Sequence, residues 1–367
     1  VCPYSDGADP VTIDRYVQHV STAPANAGAQ VGLFLREKVD ADVLARLEAG
    51  ASAEGRVVLL VHGGITPSLP AFDLPYGDYS WMGHLADAGF DVFAMDFTGY
   101  GRSPRPTMDD PCNLAASEQQ RLIPHLLEAP CEPSYAGPVT SRESDWDELE
   151  AVVDYVRALR GVERVSLLGW SLGGVRAGGF AARHPERVHR LVLYSPAYSP
   201  TGAGSPRPPT RPVRLVGYDS LTEGRWQRAI ACDDQVDPGI RPVIWRTILE
   251  GDPVGAAWLP GEGVKRQRTS VPTVAGAIAW DADGAARIRA PTLILAGDQD
   301  NPQRKHRLHA DMTGTEQRVL AVMACATHYA LWERTQYRFL HDASVEWLRD
   351  GTLRGQGSGV LRIGVER

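Results

Sequence analysis

One serine of the chain lies in a setting that is typical of a nucleophile. Gly169-Trp170-Ser171-Leu172-Gly173 fits the pattern G-x-S-x-G and follows an apolar run. In this pattern a strand turns sharply into a helix, and the small glycines let the two elements approach closely. The turn would present the Ser171 hydroxyl beside the free N–H groups at the helix start. The alternative is a tight turn whose serine has no chemical role.

A serine hydroxyl is a weak nucleophile at neutral pH and needs a base that is oriented by an acid. Gly297-Asp298-Gln299-Asp300 ends one apolar run, and Thr327-His328-Tyr329 follows the next. Ser171, Asp300 and His328 would therefore all lie where loops leave the carboxyl ends of strands. This convergence makes them the candidate catalytic residues, with Asp298 as the other candidate for the acid.

The composition excludes several classes of protein. The chain has 367 residues, of which 43% are hydrophobic and 23% charged, as in a globular enzyme. A formal net charge of −7 argues against a nucleic-acid-binding protein. No apolar run approaches the roughly 18 residues that span a bilayer, so no membrane interaction is expected. The cysteines form no CxxC motif or Cys/His cluster, so no zinc site is expected. The chemistry of a Ser-His-Asp triad needs no metal and no cofactor, and its expected partner is a small-molecule substrate.

Short apolar runs alternate with helical stretches, which predicts a mostly parallel central sheet flanked by helices. The predicted strands are 31–39, 57–61, 91–97, 165–169, 190–195, 292–297 and 318–322. The predicted helices are Trp81–Ala88, Ser144–Leu159, Leu172–Arg183 and Gln336–Arg349. The last of these could pack on the sheet or form the face of a homodimer. The glycine-rich tail after it has no assignment.

Residues 197–285 separate two predicted strands by far more than one crossover helix requires. The segment is rich in tryptophan, and we interpret it as a cap over the site, inserted into a core of residues 1–196 and 286–367. Trp226 and Trp245 in this insertion, with Trp170 beside the serine, are candidate substrate contacts. The alternative is that the tryptophans only fill a small core.

Five cysteines are scattered along the chain, and two of them, Cys112 and Cys131, lie within a loop-rich segment at 104–143. They could form a disulfide, which would favour an exported protein, or remain free and half-buried. The first residues, VCPYSDGADP, have no signal-peptide pattern, so either a cytoplasmic protein or an exported one without its leader is expected.

Several motifs together resemble the α/β-hydrolase superfamily over about residues 30–350. They are His62-Gly63-Gly64, the D-x-x-G-x-G-x-S segment Asp96–Ser103, the GWSLGG turn, GDQD and THYALWE. The last two resemble segments of capped members, such as carbon–carbon bond hydrolases and small-ester hydrolases. The resemblance implies the α/β-hydrolase fold with an inserted helical cap.

The resemblance also implies roles for single residues. Family spacing favours Asp300 over Asp298 as the acid. An oxyanion hole would use the backbone N–H of Leu172 and that of Gly64 or Ile65. His62 would support this turn through hydrogen bonds.

The implied activity is hydrolysis of a small or medium carboxylic ester, or a lactone, through an acyl-enzyme on Ser171. Alternatives on the same triad are carbon–carbon bond hydrolysis, amide or peptide cleavage and thioester release. A non-catalytic member that only binds a ligand is a further alternative.

Overall fold

The computed structural model describes residues 9–201, 211–261, 263–271 and 280–365. Cys2 and parts of the 197–285 insertion therefore lie outside the described residues. The described strands are β1 (Val11–Val20), β2 (Gln30–Val39), β3 (Val57–Val61), β4 (Asp91–Met95), β5 (Thr140–Ser141), β6 (Val165–Trp170), β7 (Val188–Tyr194), β8 (Val213–Val216), β9 (Lys265–Arg268), β10 (Ser270–Val271), β11 (Thr292–Gly297), β12 (Arg318–Met323) and β13 (Gly359–Ile363). The described α-helices are α1 (Ala41–Glu48), α2 (Ser68–Phe72), α3 (Trp81–Asp87), α4 (Ala116–Gln119), α5 (Arg142–Arg160), α6 (Leu172–Arg183), α7 (Trp226–Ala229), α8 (Ile240–Glu250), α9 (Pro253–Trp258), α10 (Ala282–Arg287), α11 (Pro302–Asp311) and α12 (Tyr337–Asp350).

The apolar runs form the centre of a nine-stranded sheet with the order β1-β2-β4-β3-β6-β7-β11-β12-β13. β1 pairs antiparallel with β2, and β2 with β4, whereas all other neighbours in this sheet are parallel. Every side chain of β3 and β6 is buried, as expected for parallel strands covered on both faces. The predicted mostly parallel sheet is confirmed, and each predicted strand lies within a residue or two of an observed one.

Helices cover both faces of the sheet. One face packs against α3 and α12 through a cluster that contains Trp81, Leu340 and Trp347. The opposite face packs against α5 and α6 through a cluster that contains Leu149 and Phe180. The apolar side of α12 is thus occupied by the sheet, which is the first of the two roles expected for this helix. None of the described helices is long and apolar enough to cross a bilayer.

Helix α5 begins two residues before the predicted start. Ser141 is its N-cap and forms a reciprocal capping box with Ser144, and Gly161 ends the helix with a φ of +62°. The acidic first turn has a further use, because Asp145 is buried against the Arg176 and Arg268 guanidinium groups at 2.7 Å each. The first turn of α5 therefore both caps the helix and forms buried ion pairs with other parts of the fold.

The 197–285 insertion is not purely helical, in contrast to the expectation. Besides α7, α8 and α9 it contains a two-stranded antiparallel sheet of β8 and β9. Trp280 belongs to the core rather than to a separate small cluster. A Cβ atom added at Gly178 of α6 would lie 1.9 Å from the Trp280 ring, so this glycine makes room for the indole.

Two disulfides are present among the described residues. Cys112 and Cys131 form the disulfide that the sequence left open, and the Cys232–Cys325 disulfide was not predicted. The second bond spans 93 residues and joins the 197–285 insertion to the loop after β12.

The sequence analysis did not predict the strands β1 and β13. β1 alternates exposed and half-buried residues at a sheet edge, and β13 lies in the glycine-rich tail.

We expect reduction of these bonds to lower the melting temperature. Cross-links constrain the unfolded chain, and typical losses are about 2–4 kcal/mol per bond, larger for longer loops. Melting curves with and without reductant check this. A Cys232→Ser/Cys325→Ser protein should already melt lower than wild type and should lose less on reduction. An unchanged melting temperature in that variant would contradict the expectation.

Candidate active site

The Ser171 turn has the sharp geometry that the glycine pattern predicts. Ser171 stands between the last residue of β6 and the first residue of α6, with φ 58° and ψ −117°. A Cβ atom at Gly173 would lie 1.9 Å from the carbonyl oxygen of Val61, and one at Gly169 would lie 2.5 Å from that of Gly173. Only glycine allows the helix start to lie this close to the sheet, so the two glycines are required by contact.

The structure brings Ser171, His328 and Asp300 together. Nε2 of His328 lies 2.8 Å from Oγ of Ser171, and Nδ1 lies 2.9 Å from Oδ2 of Asp300. Asp300 follows β11 and His328 follows β12, so parallel strands deliver both residues to the same edge of the sheet. The arrangement can move a proton from the hydroxyl to the imidazole and stabilise the imidazolium that forms.

Asp300 rather than Asp298 contacts the histidine. Asp298 is exposed, and its carboxylate accepts a long bond of 3.4 Å from the Ala326 N–H. Burial would raise the pKa of Asp300, but the hydrogen bond and charge of His328, together with Lys305, lower this pKa well below its usual range. Lys305 Nζ lies 2.9 Å from Oδ2 of Asp300. Asp300 is therefore ionised while it faces the imidazole.

Three buried groups hold the histidine loop in place. The Trp170 indole donates to the His328 carbonyl at 3.0 Å, and the Tyr194 hydroxyl donates to that of Thr327 at 3.0 Å. The Glu333 carboxylate accepts the Thr327 N–H at 2.9 Å. The backbone around His328 is thus held by residues of β6, of β7 and of the loop itself.

Glu333 also connects this loop to the 197–285 insertion. Its two oxygens accept bonds of 2.9 Å from the Trp226 indole and the Gln235 amide. Gln235 in turn donates to Gln299, next to Asp300, at 2.9 Å. Sequence reasoning missed Glu333, Lys305 and Tyr194; a carboxylate within the apolar THYALWE segment was the one available signal.

The expected oxyanion turn lies directly against Ser171. A Cβ atom at Gly63 would be 3.1 Å from that of Ser171, and one at Gly64 would be 3.3 Å from the Leu172 side chain. His62 is fully buried, with Nδ1 2.7 Å from the Gly63 carbonyl and Nε2 accepting the Phe97 N–H at 3.3 Å. Burial, then the Arg176 charge, lowers the pKa of His62 well below its usual value, so a neutral ring supports the turn.

The carbonyl of Gly64 is held from outside the turn. It accepts a bond of 2.8 Å from the Tyr100 hydroxyl and one of 2.9 Å from the Gln267 amide. In a trans peptide the following N–H, that of Ile65, points the opposite way. The Leu172 N–H lies at the start of α6, where helical N–H groups have no intrahelical acceptor. Leu172 with Gly64 or Ile65 stays the predicted oxyanion hole.

The three tryptophans predicted to contact substrate have different surroundings. Trp170 is 1% exposed and Trp226 is fully buried, and both indole N–H groups are bonded to the histidine loop. Both rings are buried and support the histidine loop in this structure, and their contact with substrate stays a prediction. Trp245 borders a cavity of about 1030 Å³ that is lined by residues of β8, α8 and α9. The triad residues do not line this cavity.

Comparisons with known proteins agree with the fold. A family model described as "alpha/beta hydrolase fold" matches residues 56–217. A 2-hydroxy-6-oxo-6-phenylhexa-2,4-dienoate hydrolase of Comamonas testosteroni is 30% identical over 149 residues, 41% of this chain and 38% of the relative. A pimeloyl-[acyl-carrier protein] methyl ester esterase of Aeromonas hydrophila subsp. hydrophila is 37% identical over 70 residues, 18% of this chain and 26% of that protein. The chain thus spans well under half the length of these relatives.

A solved structure extends the likeness beyond the matched segment. Naproxen esterase from Bacillus subtilis superposes with a TM-score of 0.52 at 15% identity, over 92% of each chain. At this identity the likeness concerns the fold alone. The sheet order, the sharp serine turn and the family match over residues 56–217 agree, and the chain has the α/β-hydrolase fold.

Proposed function

We propose that the protein is a serine hydrolase that cleaves a small or medium carboxylic ester, or a lactone, through an acyl-enzyme. The observation that carries the proposal is the hydrogen-bonded chain from Ser171 through His328 to Asp300, with bonds of 2.8 and 2.9 Å. The three roles are nucleophile, general base and orienting acid. The proposal requires no metal or organic cofactor.

The reaction would proceed in two halves. As Oγ of Ser171 bonds to the carbonyl carbon, its proton moves to Nε2 of His328. The imidazolium then gives this proton to the departing alkoxide, which leaves as an alcohol while the acyl group stays on Ser171. Water attacks the acyl-enzyme, loses a proton to His328 and releases the acid, and the proton returns to Oγ. The N–H groups of Leu172 and of Gly64 or Ile65 would stabilise the oxyanion in both halves.

The test is hydrolysis of 4-nitrophenyl esters of increasing acyl length, combined with labelling by a fluorescent phosphonate. We expect turnover of short or medium chains and a label on Ser171. A folded protein that neither hydrolyses any ester nor takes the label would overturn the proposal and favour a non-catalytic, ligand-binding protein. Labelling without ester turnover would keep the nucleophile but move the activity to another bond, such as an amide or thioester.

Carbon–carbon bond hydrolysis is the second candidate. The similarity to the Comamonas testosteroni dienoate hydrolase favours it, since that protein is named for a 2-hydroxy-6-oxo dienoate substrate. The same triad would serve, with a carbanion equivalent as the leaving group in place of an alcohol. Faster cleavage of such a dienoate than of every ester would promote this candidate to first place.

A further inference from the structure

Strand β9 buries four polar residues in succession, Lys265-Arg266-Gln267-Arg268. The two arginines are matched by carboxylates. Arg266 lies 2.6 Å from Asp252, and Arg268 lies 2.7 Å from Asp145. Lys265 differs from both: it is 2% exposed, and Nζ has no hydrogen-bond partner among the described residues.

The pairing of β9 with β8 indicates where Lys265 faces. Val216 is opposite Lys265 and Arg214 is opposite Gln267, and side chains alternate along a strand, so these four residues share one face of the two-stranded β8–β9 sheet, with Arg214 at its exposed end. Arg266 and Arg268 occupy the other face. Val216 packs against the same apolar cluster as Ile65 of the oxyanion turn. Gln267 donates to the Gly64 carbonyl at 2.9 Å, so this residue of the face reaches the oxyanion turn, two residues along the strand from Lys265.

Two buried polar atoms of this face have no hydrogen-bond partner within the described ranges: Nζ of Lys265, a donor, and Oε1 of Gln267, an acceptor. The nearest described features around Nζ do not neutralise it. The Tyr100 ring centroid lies 5.6 Å away, and the charges of Arg105 and Arg214 oppose that of Asp252. Burial, followed by these two arginines, lowers the pKa of Lys265 to about 7. A buried ammonium without a counter-ion destabilises the fold, and an anionic ligand that reached Nζ would remove this cost.

We propose that Lys265 binds a carboxylate carried by the substrate, so that the protein prefers esters that contain a second, anionic group. This inference rests on the proposed function and narrows its substrate class. The ammonium would neutralise the carboxylate in a dry setting, where a charge-assisted hydrogen bond is strong. Lys265 would act in binding and would take no part in the proton transfers.

Matched esters test the proposal. One series is 4-nitrophenyl half-esters of dicarboxylic acids from succinate to suberate, compared with butanoate to octanoate esters of equal length. A second pair is 4-nitrophenyl and 3-carboxy-4-nitrophenyl hexanoate, which places the carboxylate on the leaving group instead. We expect one of these two comparisons to show a higher kcat/KM for the anionic ester. That comparison identifies whether the acyl group or the leaving group of the substrate reaches Lys265.

The variants separate charge from structure. In Lys265→Met the preference for the anionic ester should fall by about tenfold to hundredfold, mainly through KM, since one buried charge pair is lost. Neutral esters should be hydrolysed as by wild type. Lys265→Arg should retain most of the preference, and Arg362→Met, which removes an exposed positive charge on β13, should leave it unchanged. Lys265→Met should melt at or above the wild-type temperature, because an unpaired buried charge has been removed.

The outcomes for the two proposals are distinct. Hydrolysis of neutral esters without any preference for either anionic series would overturn the carboxylate site and leave the hydrolase intact. An equal change in kcat/KM for neutral and anionic esters in Lys265→Met would likewise overturn the carboxylate site and leave the hydrolase intact. If no ester is turned over, the carboxylate site is tested by comparing the melting temperature in adipate with that in chloride at equal ionic strength. Stabilisation by adipate that Lys265→Met abolishes supports the site, and its absence in wild type overturns it.

Discussion

Ser171→Ala should abolish most of the hydrolytic activity while the protein stays folded. We expect kcat to fall by roughly 10⁴-fold or more, because triad members act as a unit and the residual rate comes from binding and the oxyanion hole. The Ser171 side chain is half-buried, and its described partner is Nε2 of His328 at 2.8 Å. Removing one hydroxyl there leaves the packing of β6 and α6 unchanged, so the melting temperature should move little. Steady-state kinetics on the best nitrophenyl ester and a melting curve measure both effects.

Ser166→Ala is the matched control for this experiment. Ser166 lies on the same strand, is buried, and its hydroxyl has no partner among the described residues. The same chemical change at that position should leave kcat within a few-fold of wild type. If a folded Ser171→Ala protein kept near-normal turnover, the acyl-enzyme mechanism would be wrong. Equal losses in both variants would indicate damage to β6 instead of loss of a nucleophile.

The sequence was sufficient for the parts of the site that local patterns encode. In a parallel sheet the carboxyl ends of neighbouring strands meet at one edge, so residues that follow apolar runs converge without further information. Ser171, Asp300 and His328 each follow such a run, and the structure brings them into hydrogen-bond distance. The glycines around Ser171 were equally informative, because their contacts are with backbone that is close in the fold and leave no room for a side chain.

The remaining features depend on partners that are distant in the sequence. Lys265-Arg266-Gln267-Arg268 has the composition of an exposed segment, yet it is buried because Asp252 and Asp145 receive the two arginines. Trp226 in an aromatic insertion suggested a substrate contact, whereas its indole is bonded to Glu333. The 93 residues between Cys232 and Cys325 likewise gave no sign that the two would meet. Burial of a polar residue is decided by such long-range pairs and cannot be obtained from periodicity.

The choice between the two aspartates of GDQD has a direct kinetic test, because the structure gives them opposite surroundings. Asp300 is 8% exposed and contacts both His328 and Lys305, whereas Asp298 is exposed. Asp300→Asn should lower kcat by about 10⁴-fold, since an amide neither stabilises the imidazolium nor fixes the tautomer that accepts the serine proton. Asp298→Asn, the same substitution two residues earlier, should change kcat by less than about threefold, as expected away from the triad.

Stability measurements keep the interpretation of Asp300→Asn unambiguous. The carboxylate pairs with the buried Lys305 ammonium at 2.9 Å, so the asparagine variant leaves that charge without its partner and should also melt lower. Because the pKa of Asp300 is lowered in the folded state, the stabilisation is present above the pKa of the unfolded carboxyl and is lost as the pH falls through the folded value. Kinetics are therefore compared near neutral pH and well below the melting temperature of the variant. A folded Asp300→Asn protein with full activity, or an equal loss of activity in Asp298→Asn, would contradict the assignment of Asp300 as the group that orients the histidine. A loss confined to Asp300→Asn would establish that the acid acts through the 2.9 Å bond to Nδ1 of His328.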